Sequence, residues 1–338
     1  MKNFKQLLVL FLCAFIIIAG SGCDKSPDAE PVSFFAMDTY IQLDVRGNSF
    51  AADEIKDEIL SVESLLSPTD ENSDIYKLNQ SGSAVVDDVT ASVLDEALHY
   101  CRETDGALDI TVYPVICEWG FINGNYKIPK QEKIDEMLQF VDYNKVSAVG
   151  SQVKLENGVQ IDMGAVAKGF AADSAVKILD KNSVSSAILN LGGTVAAYGK
   201  KSDKQPWKVG IADPENSADY MGYLQCENKI IATSGSYERY FEGEDGKTYS
   251  HIIDPATGQP VDNGILSVTV ISDSGVRCDC LSTALFVMGL DKAVAYQNNH
   301  NDFDFVILTD DGKAYVTSGI ESDFVLADNA GYEKTVVG

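Results

Sequence analysis

The chain has 338 residues, 45% of them apolar and only 9 prolines, which excludes a disordered polypeptide and suits one large domain or two packed lobes around a sizeable core. Its 26 Lys and Arg against 51 Asp and Glu leave a formal charge of -25, a surface that would repel phosphate backbones, so no nucleic-acid partner is expected. His99, His251 and His300 lie far apart in sequence, which argues against a histidine-rich zinc hydrolase, and 7 cysteines are too few for a disulfide scaffold of this length.

Lys2 and Lys5 precede an unbroken apolar run from Leu7 to Ala19. As a helix this run spans about 20 Å, too short for a hydrocarbon core of roughly 30 Å, and it reads as the h-region of a signal peptide over residues 1–22. Gly20-Ser21-Gly22-Cys23 then resembles the lipobox of bacterial lipoproteins, although Gly20 stands where a Leu is usual. The expectation is a lipid anchor at Cys23, a polar tether over 23–31, and an acidic domain held outside the cytoplasmic membrane. The alternative is a plain cleaved signal with a chance cysteine.

Phe34 to Val45 alternates as a first strand, and Ile55, Ile59, Val62 and Leu66 recur at helical spacing within Phe50 to Leu66. Thr90 is suited to cap a helix whose inner face carries Val93, Ala97 and Cys101, closing near Gly106. A short helix is expected from Gln131 to Phe140, then a hairpin from Val146 to Asp162 turning at Asn157-Gly158, then a helix from Ala165 to Leu179. Ala187–Leu191, Thr194–Tyr198, Trp207–Ile211 and Lys229–Ala232 are strand-like, and Asp245-Gly246 turns a hairpin into Tyr249–Ile253. Ile265–Ile271 reads as a buried strand and Asp279–Gly289 as a helix. Phe303–Thr309 with Ala314–Thr317 reads as a last hairpin around Asp311-Gly312, and residues 331–338 as a tail. Strands in hairpins, with helices inserted between groups, predict an α+β fold of mostly antiparallel sheets. The other cysteines, Cys101, Cys117, Cys226, Cys278 and Cys280, read as small core residues.

Several short segments carry residues with chemistry. Asp279 and Thr283 stand at i and i+4, so on a helix they share a face. A carboxylate and a hydroxyl together suit a hard cation, but also a helix-dipole partner and a self-bonded Thr. Asp162-Met163-Gly164-Ala165 ends a strand and enters a helix near whose start Lys168 can meet a phosphate, or simply water. His251, before Asp254-Pro255, has the chemistry of a general acid or base, or of a structural histidine. Asp109 emerges from an apolar stretch after Gly106-Ala107-Leu108. Asn190-Leu191-Gly192-Gly193 and Thr233-Ser234-Gly235 read as small-residue loops able to cradle a flat ligand.

The order and spacing of these segments, together with Ala36-Met37-Asp38-Thr39 and Ser73-Asp74-Ile75-Tyr76-Lys77-Leu78-Asn79, resemble the ApbE family of FAD:protein FMN transferases over residues 32–330. The resemblance implies an FAD cleft between two α+β lobes and Mg²⁺ at the pyrophosphate. It implies transfer of FMN to a Thr or Ser hydroxyl of an acceptor flavoprotein, a subunit of a membrane redox complex, with release of AMP. Carried over, Ala165 (by its carbonyl), Asp279, Ser282 and Thr283 are the implied Mg²⁺ ligands. Met37, Ala107, Leu108, Asp109, Asp162, Lys168 and Ile253 are the implied FAD contacts, and His251 and Asp279 the implied catalytic residues.

Asp38 stands where many members have Gly, and Thr69 where many have an aromatic ring. Asp105-Gly106-Ala107 nearly meets the acceptor pattern but continues into Leu108, so the chain reads as modifier and not as substrate. The competing readings are an FAD pyrophosphatase that releases FMN and AMP, a flavin-binding lipoprotein without catalysis, and a general solute-binding lipoprotein.

Overall fold

The computed structural model describes residues 30–214, 216 and 219–338, so residues 1–22, expected to be a signal peptide, and Cys23 lie outside the described residues. At its centre is a nine-stranded sheet whose strands follow one another in chain order. They are Val32–Ala36, Thr39–Val45, Ser186–Asn190, Thr194–Gly199, Lys229–Gly235, Ile265–Ser272, Asp304–Thr309, Lys313–Thr317 and Glu333–Val337. Every neighbouring pair is antiparallel except the last, which is parallel. The expected α+β architecture of mostly antiparallel sheets is the one observed.

Both faces of this sheet are covered, which explains why its strands are apolar almost throughout. Successive side chains point to opposite faces. Ala187, Leu189, Ile230, Val268, Val270 and Phe305 therefore enter the larger core beneath the helices. Ile188, Ile231, Ile271, Val306 and Leu308 enter a second core against the small sheet of Trp207–Ala212, Tyr220–Cys226 and Phe324–Leu326. A third cluster around Trp119 and Phe121 includes Ile134 and Ile253, beside the two-stranded hairpin of Tyr240–Glu242 and Thr248–Ser250.

Several local expectations are corrected. Phe34–Val45 is a hairpin and not one strand: it turns at Met37 and Asp38, both left-handed with φ 51° and 56°. The next hairpin pairs Val146–Val149 with Gln152–Leu155 around Gly150, whereas Asn157-Gly158 forms a separate bend. Asp87, not Thr90, caps the helix Asp88–Glu103, and Thr90 instead donates its hydroxyl to Asp74. The helix expected from Asp279 spans Gly275–Met288, with Ser274 as its cap. Thr233 to Gly235 end a strand and do not form a loop. The expected tail contains Glu333–Val337, which closes the sheet by pairing with Lys313–Thr317. Cys117 is only half-buried, unlike the four other described cysteines.

Candidate active site

Two helices meet backbone to backbone and set the floor of the site. A Cβ on Gly169, in the helix Ala167–Lys181, would lie 2.1 Å from the Gly275 carbonyl oxygen, so this approach requires glycine. Asp173 fastens the joint by accepting the N–H groups of Gly275 at 2.6 Å and Val276 at 3.0 Å, two otherwise unpaired donors of a helix start. One turn further in, Asp279 is buried, and each of its oxygens has a donor. Gly169 N–H reaches Oδ2 at 2.6 Å and Thr194 Oγ1 reaches Oδ1 at 2.8 Å. Burial pushes the Asp279 carboxyl up from the ordinary range, while the Lys168 ammonium is the chief opposing influence. Ser234 Oγ, from the facing strand, lies 2.9 Å from Ser282 Oγ and 3.2 Å from Thr283 Oγ1, so three hydroxyls cluster between strand and helix, and Ser282 Oγ also donates to the Asp279 backbone carbonyl at 3.0 Å.

Above this floor opens a cleft of about 410 Å³, within the range of small-ligand sites. Met37 enters from the hairpin turn, where its N–H donates to Glu63 Oε1 at 2.6 Å. Ala107, Leu108 and Asp109 form one wall. Asp109 Oδ1 accepts from Thr111 N–H at 2.8 Å and Thr111 Oγ1 at 2.6 Å, while Oδ2 accepts from Tyr143 N–H at 3.2 Å. Its carboxylate is thus engaged in holding the wall, and burial shifts it upward. Asp162 accepts the Gly164 N–H through Oδ1 and donates its own N–H to Ile110 at 2.9 Å, shaping the turn that leads to Ala165 and Lys168.

His251 faces the cleft next to Ile253. Its Nδ1 lies 3.2 Å from the carbonyl oxygen of Arg239. A carbonyl only accepts, so Nδ1 carries the proton and Nε2 keeps a free lone pair. Burial, reinforced by the Arg239 and Lys168 cations, pushes the imidazole down to about 4, so it is neutral at physiological pH. Nearby Glu238 is raised to about 7, first by desolvation and against the pull of Lys168 and Arg239. Its outer surface is open to solvent, which screens part of that effect.

The twelve residues that the resemblance implies for ligand, contact or catalytic roles all line this one cleft: Met37, Ala107, Leu108, Asp109, Asp162, Ala165, Lys168, His251, Ile253, Asp279, Ser282 and Thr283. Of the two small-residue segments, Thr233 and Ser234 line it, whereas Asn190 to Gly193 and Gly235 are not among its lining residues. Sequence reading passed over Glu63, Glu238 and Arg239, which also line it, and Thr194, which orients Asp279. Ser234 was visible only as part of a small-residue segment. The donor set of one carboxylate, hydroxyls and a backbone carbonyl consists of hard oxygens and fits a Mg²⁺ that keeps several waters. Among the described residues no three His, Cys, Asp or Glu side chains gather as a metal site.

The model of the ApbE family matches residues 37–307. The chain belongs to the ApbE family. It is similar to the FAD:protein FMN transferase of Haemophilus influenzae, with 32% identity over 278 residues, 77% of this chain and 79% of the relative. The FAD:protein FMN transferase of Escherichia coli is 28% identical over 86% of this chain and 88% of its own length. Its fold is similar to the crystal structure of the ApbE protein of Thermotoga maritima, with a TM-score of 0.81 and 33% identity over 87% of this chain and 98% of that one. The flavin transferase ApbE of Vibrio cholerae gives a TM-score of 0.78 at 26% identity, over 87% of this chain and 98% of that one.

Both departures noted from the family pattern fall at the rim of the cleft. Asp38 adopts φ 56°, a conformation that suits Gly and that Asp tolerates, and it pairs with Arg239 at 3.2 Å. Thr69 is exposed, with its hydroxyl 3.2 Å from Ser67 Oγ.

Proposed function

We propose that this protein transfers FMN from FAD to a Thr or Ser hydroxyl of an acceptor flavoprotein, in a Mg²⁺-dependent reaction that releases AMP. The observation that carries this reading is the convergence on one cleft of the twelve residues that the resemblance implies, with a neutral histidine facing it and an oxygen-donor set at its floor. Asp279, Thr283, Ser282 and the Ala165 carbonyl would hold the Mg²⁺, which when bound withdraws charge from the pyrophosphate.

The chain's own groups supply the rest. Lys168 offsets phosphate charge that the acidic protein would otherwise repel. The walls held by Asp109 and Asp162 orient the nucleotide against the floor. His251 Nε2 takes the proton of the acceptor hydroxyl as its oxygen bonds to the FMN phosphorus. The bond from that phosphorus to the bridging oxygen breaks, and AMP departs with this oxygen.

The acceptor is read as a subunit of a membrane redox complex, and Cys23 as the lipid anchor that holds the enzyme outside the cytoplasmic membrane. The short apolar run and the small residues before Cys23 support the anchor. A Cys23→Ser protein is expected in the soluble fraction, and its persistence with membranes contradicts the anchor. For the reaction, the protein is incubated with FAD, Mg²⁺ and a candidate acceptor domain. A gain in acceptor mass of one FMN supports transfer, whereas free FMN and AMP with an unmodified acceptor indicate the pyrophosphatase instead.

A further inference from the structure

We propose that an aromatic ledge beside the cleft, with Tyr126 and Ile128 outermost, is the docking surface for the acceptor polypeptide. This inference rests on the transferase reading. A cleft of about 410 Å³ is the size of a small-ligand site and cannot take in a folded protein. A stable protein complex covers roughly 800 Å² on each partner, so most of the acceptor contact has to fall on the rim around His251.

The rim next to His251 is aromatic. Phe121 meets the His251 ring edge-on at 6.4 Å and the Tyr126 ring at 5.5 Å. Tyr126 stacks on Phe241 at 5.3 Å, and Phe241 stacks on Tyr249 at 5.3 Å. Phe121 thus links the base edge-on to Tyr126, which is 47% exposed. Ile128, 44% exposed, follows two residues on in a stretch without regular structure, its side chain beside Gly243 on the same side as Tyr249. Phe121 lines the cleft, whereas Tyr126 and Ile128 do not, so the outer ledge is continuous with the site but outside the nucleotide volume. Flat, rigid, half-exposed aromatic surface of this kind is typical of interface anchors. The occupant is an extended acceptor segment that lays apolar or small side chains on the ledge and directs its hydroxyl residue inward to Nε2.

The test is steady-state FMN transfer to a purified acceptor domain by wild type, Tyr126→Ser/Ile128→Ser and Val149→Ser, with FAD affinity measured by calorimetry. Val149, 79% exposed on the small sheet of Val146–Val149, is an apolar control away from the cleft. The double variant is expected to raise the acceptor KM about tenfold while the FAD Kd and kcat stay within about twofold and the control matches wild type. An unchanged acceptor KM overturns the proposal, as does a parallel loss of FAD affinity, which would assign the ledge to the nucleotide. An equal effect in Val149→Ser also overturns it. Absence of any transfer by wild type defeats the transferase reading itself, an outcome separate from wild-type turnover with an insensitive ledge.

Discussion

The backbone N–H of Gly169 donates to Asp279 Oδ2 at 2.6 Å where the two floor helices touch. The close approach that needs glycine also aims the carboxylate, so packing and chemistry are coupled at one point. Gly169→Ala inserts a methyl where the Gly275 carbonyl stands 2.1 Å away. It is expected to cost about 1–3 kcal/mol of stability by overpacking and to depress transfer more than the stability loss explains. Urea melts beside initial rates check this; wild-type rates in a folded variant would contradict the coupling.

Glu63 reaches across 26 residues to hold Met37 in its left-handed turn. Glu63→Ala leaves that N–H without its partner and is expected to weaken FAD binding by about 1–3 kcal/mol, while Glu63→Gln, which keeps an acceptor oxygen, recovers most of it. Titration calorimetry with FAD on both variants measures the difference. Equal affinities in all three proteins would remove Glu63 from the site.

The pH behaviour of His251 has a definite sign. Its imidazole titrates near 4 in the folded protein against an ordinary 6.5. As pH falls below about 6.5 the unfolded chain takes up this proton first, so stability declines through the window down to about 4. Above the window the group contributes no slope. His251→Gln is expected to flatten stability against pH between 4 and 6.5, as followed by chemical melts. Wild-type transfer is expected to show no loss attributable to His251 between pH 8 and 5, whereas an inflection near 6.5 that disappears in the variant would contradict the depressed value.

Lys168 stands second in its helix, where its charge adds to that of the helix start. Lys168→Ala is expected to weaken FAD binding by about 1.5–3 kcal/mol, the worth of one charge-assisted contact, with little effect on the melt. Calorimetry and a thermal scan test both parts, and an unchanged FAD Kd would place this ammonium away from the phosphates.

What was legible in the sequence was local. Asp162 through Lys168 and Asp279 through Thr283 bring ligand-bearing groups together within a few residues, so their spacing reports their chemistry directly. The sheet strands were legible because both their faces are buried. Partners that act over long separations were not: Thr194 meets Asp279 across 85 residues and Arg239 meets Asp38 across 201. The hairpin turn at Met37-Asp38 lacks the Asn-Gly type of signal, so the two strands read as one. The helix expected from Asp279 in fact begins at Gly275, whose close partner Gly169 lies 106 residues away in the chain and leaves no local signal. Glu333–Val337 is an edge strand created by its parallel partner, and nothing in five residues discloses that pairing.

FMN transfer is proposed to depend on a metal held by Asp279 and Thr283 at the floor of this cleft. This dependence is tested most directly by titrating Mg²⁺ against the initial rate of acceptor flavinylation for wild type, Asp279→Ala and Thr283→Ala. EDTA is expected to stop the wild-type reaction and added Mg²⁺ to restore it. Charge dominates the binding of a hard cation, so Asp279→Ala should lose nearly all transfer, while Thr283→Ala should need more Mg²⁺ yet keep measurable turnover. An Asp279→Ala protein with wild-type rate and wild-type Mg²⁺ dependence would contradict the account.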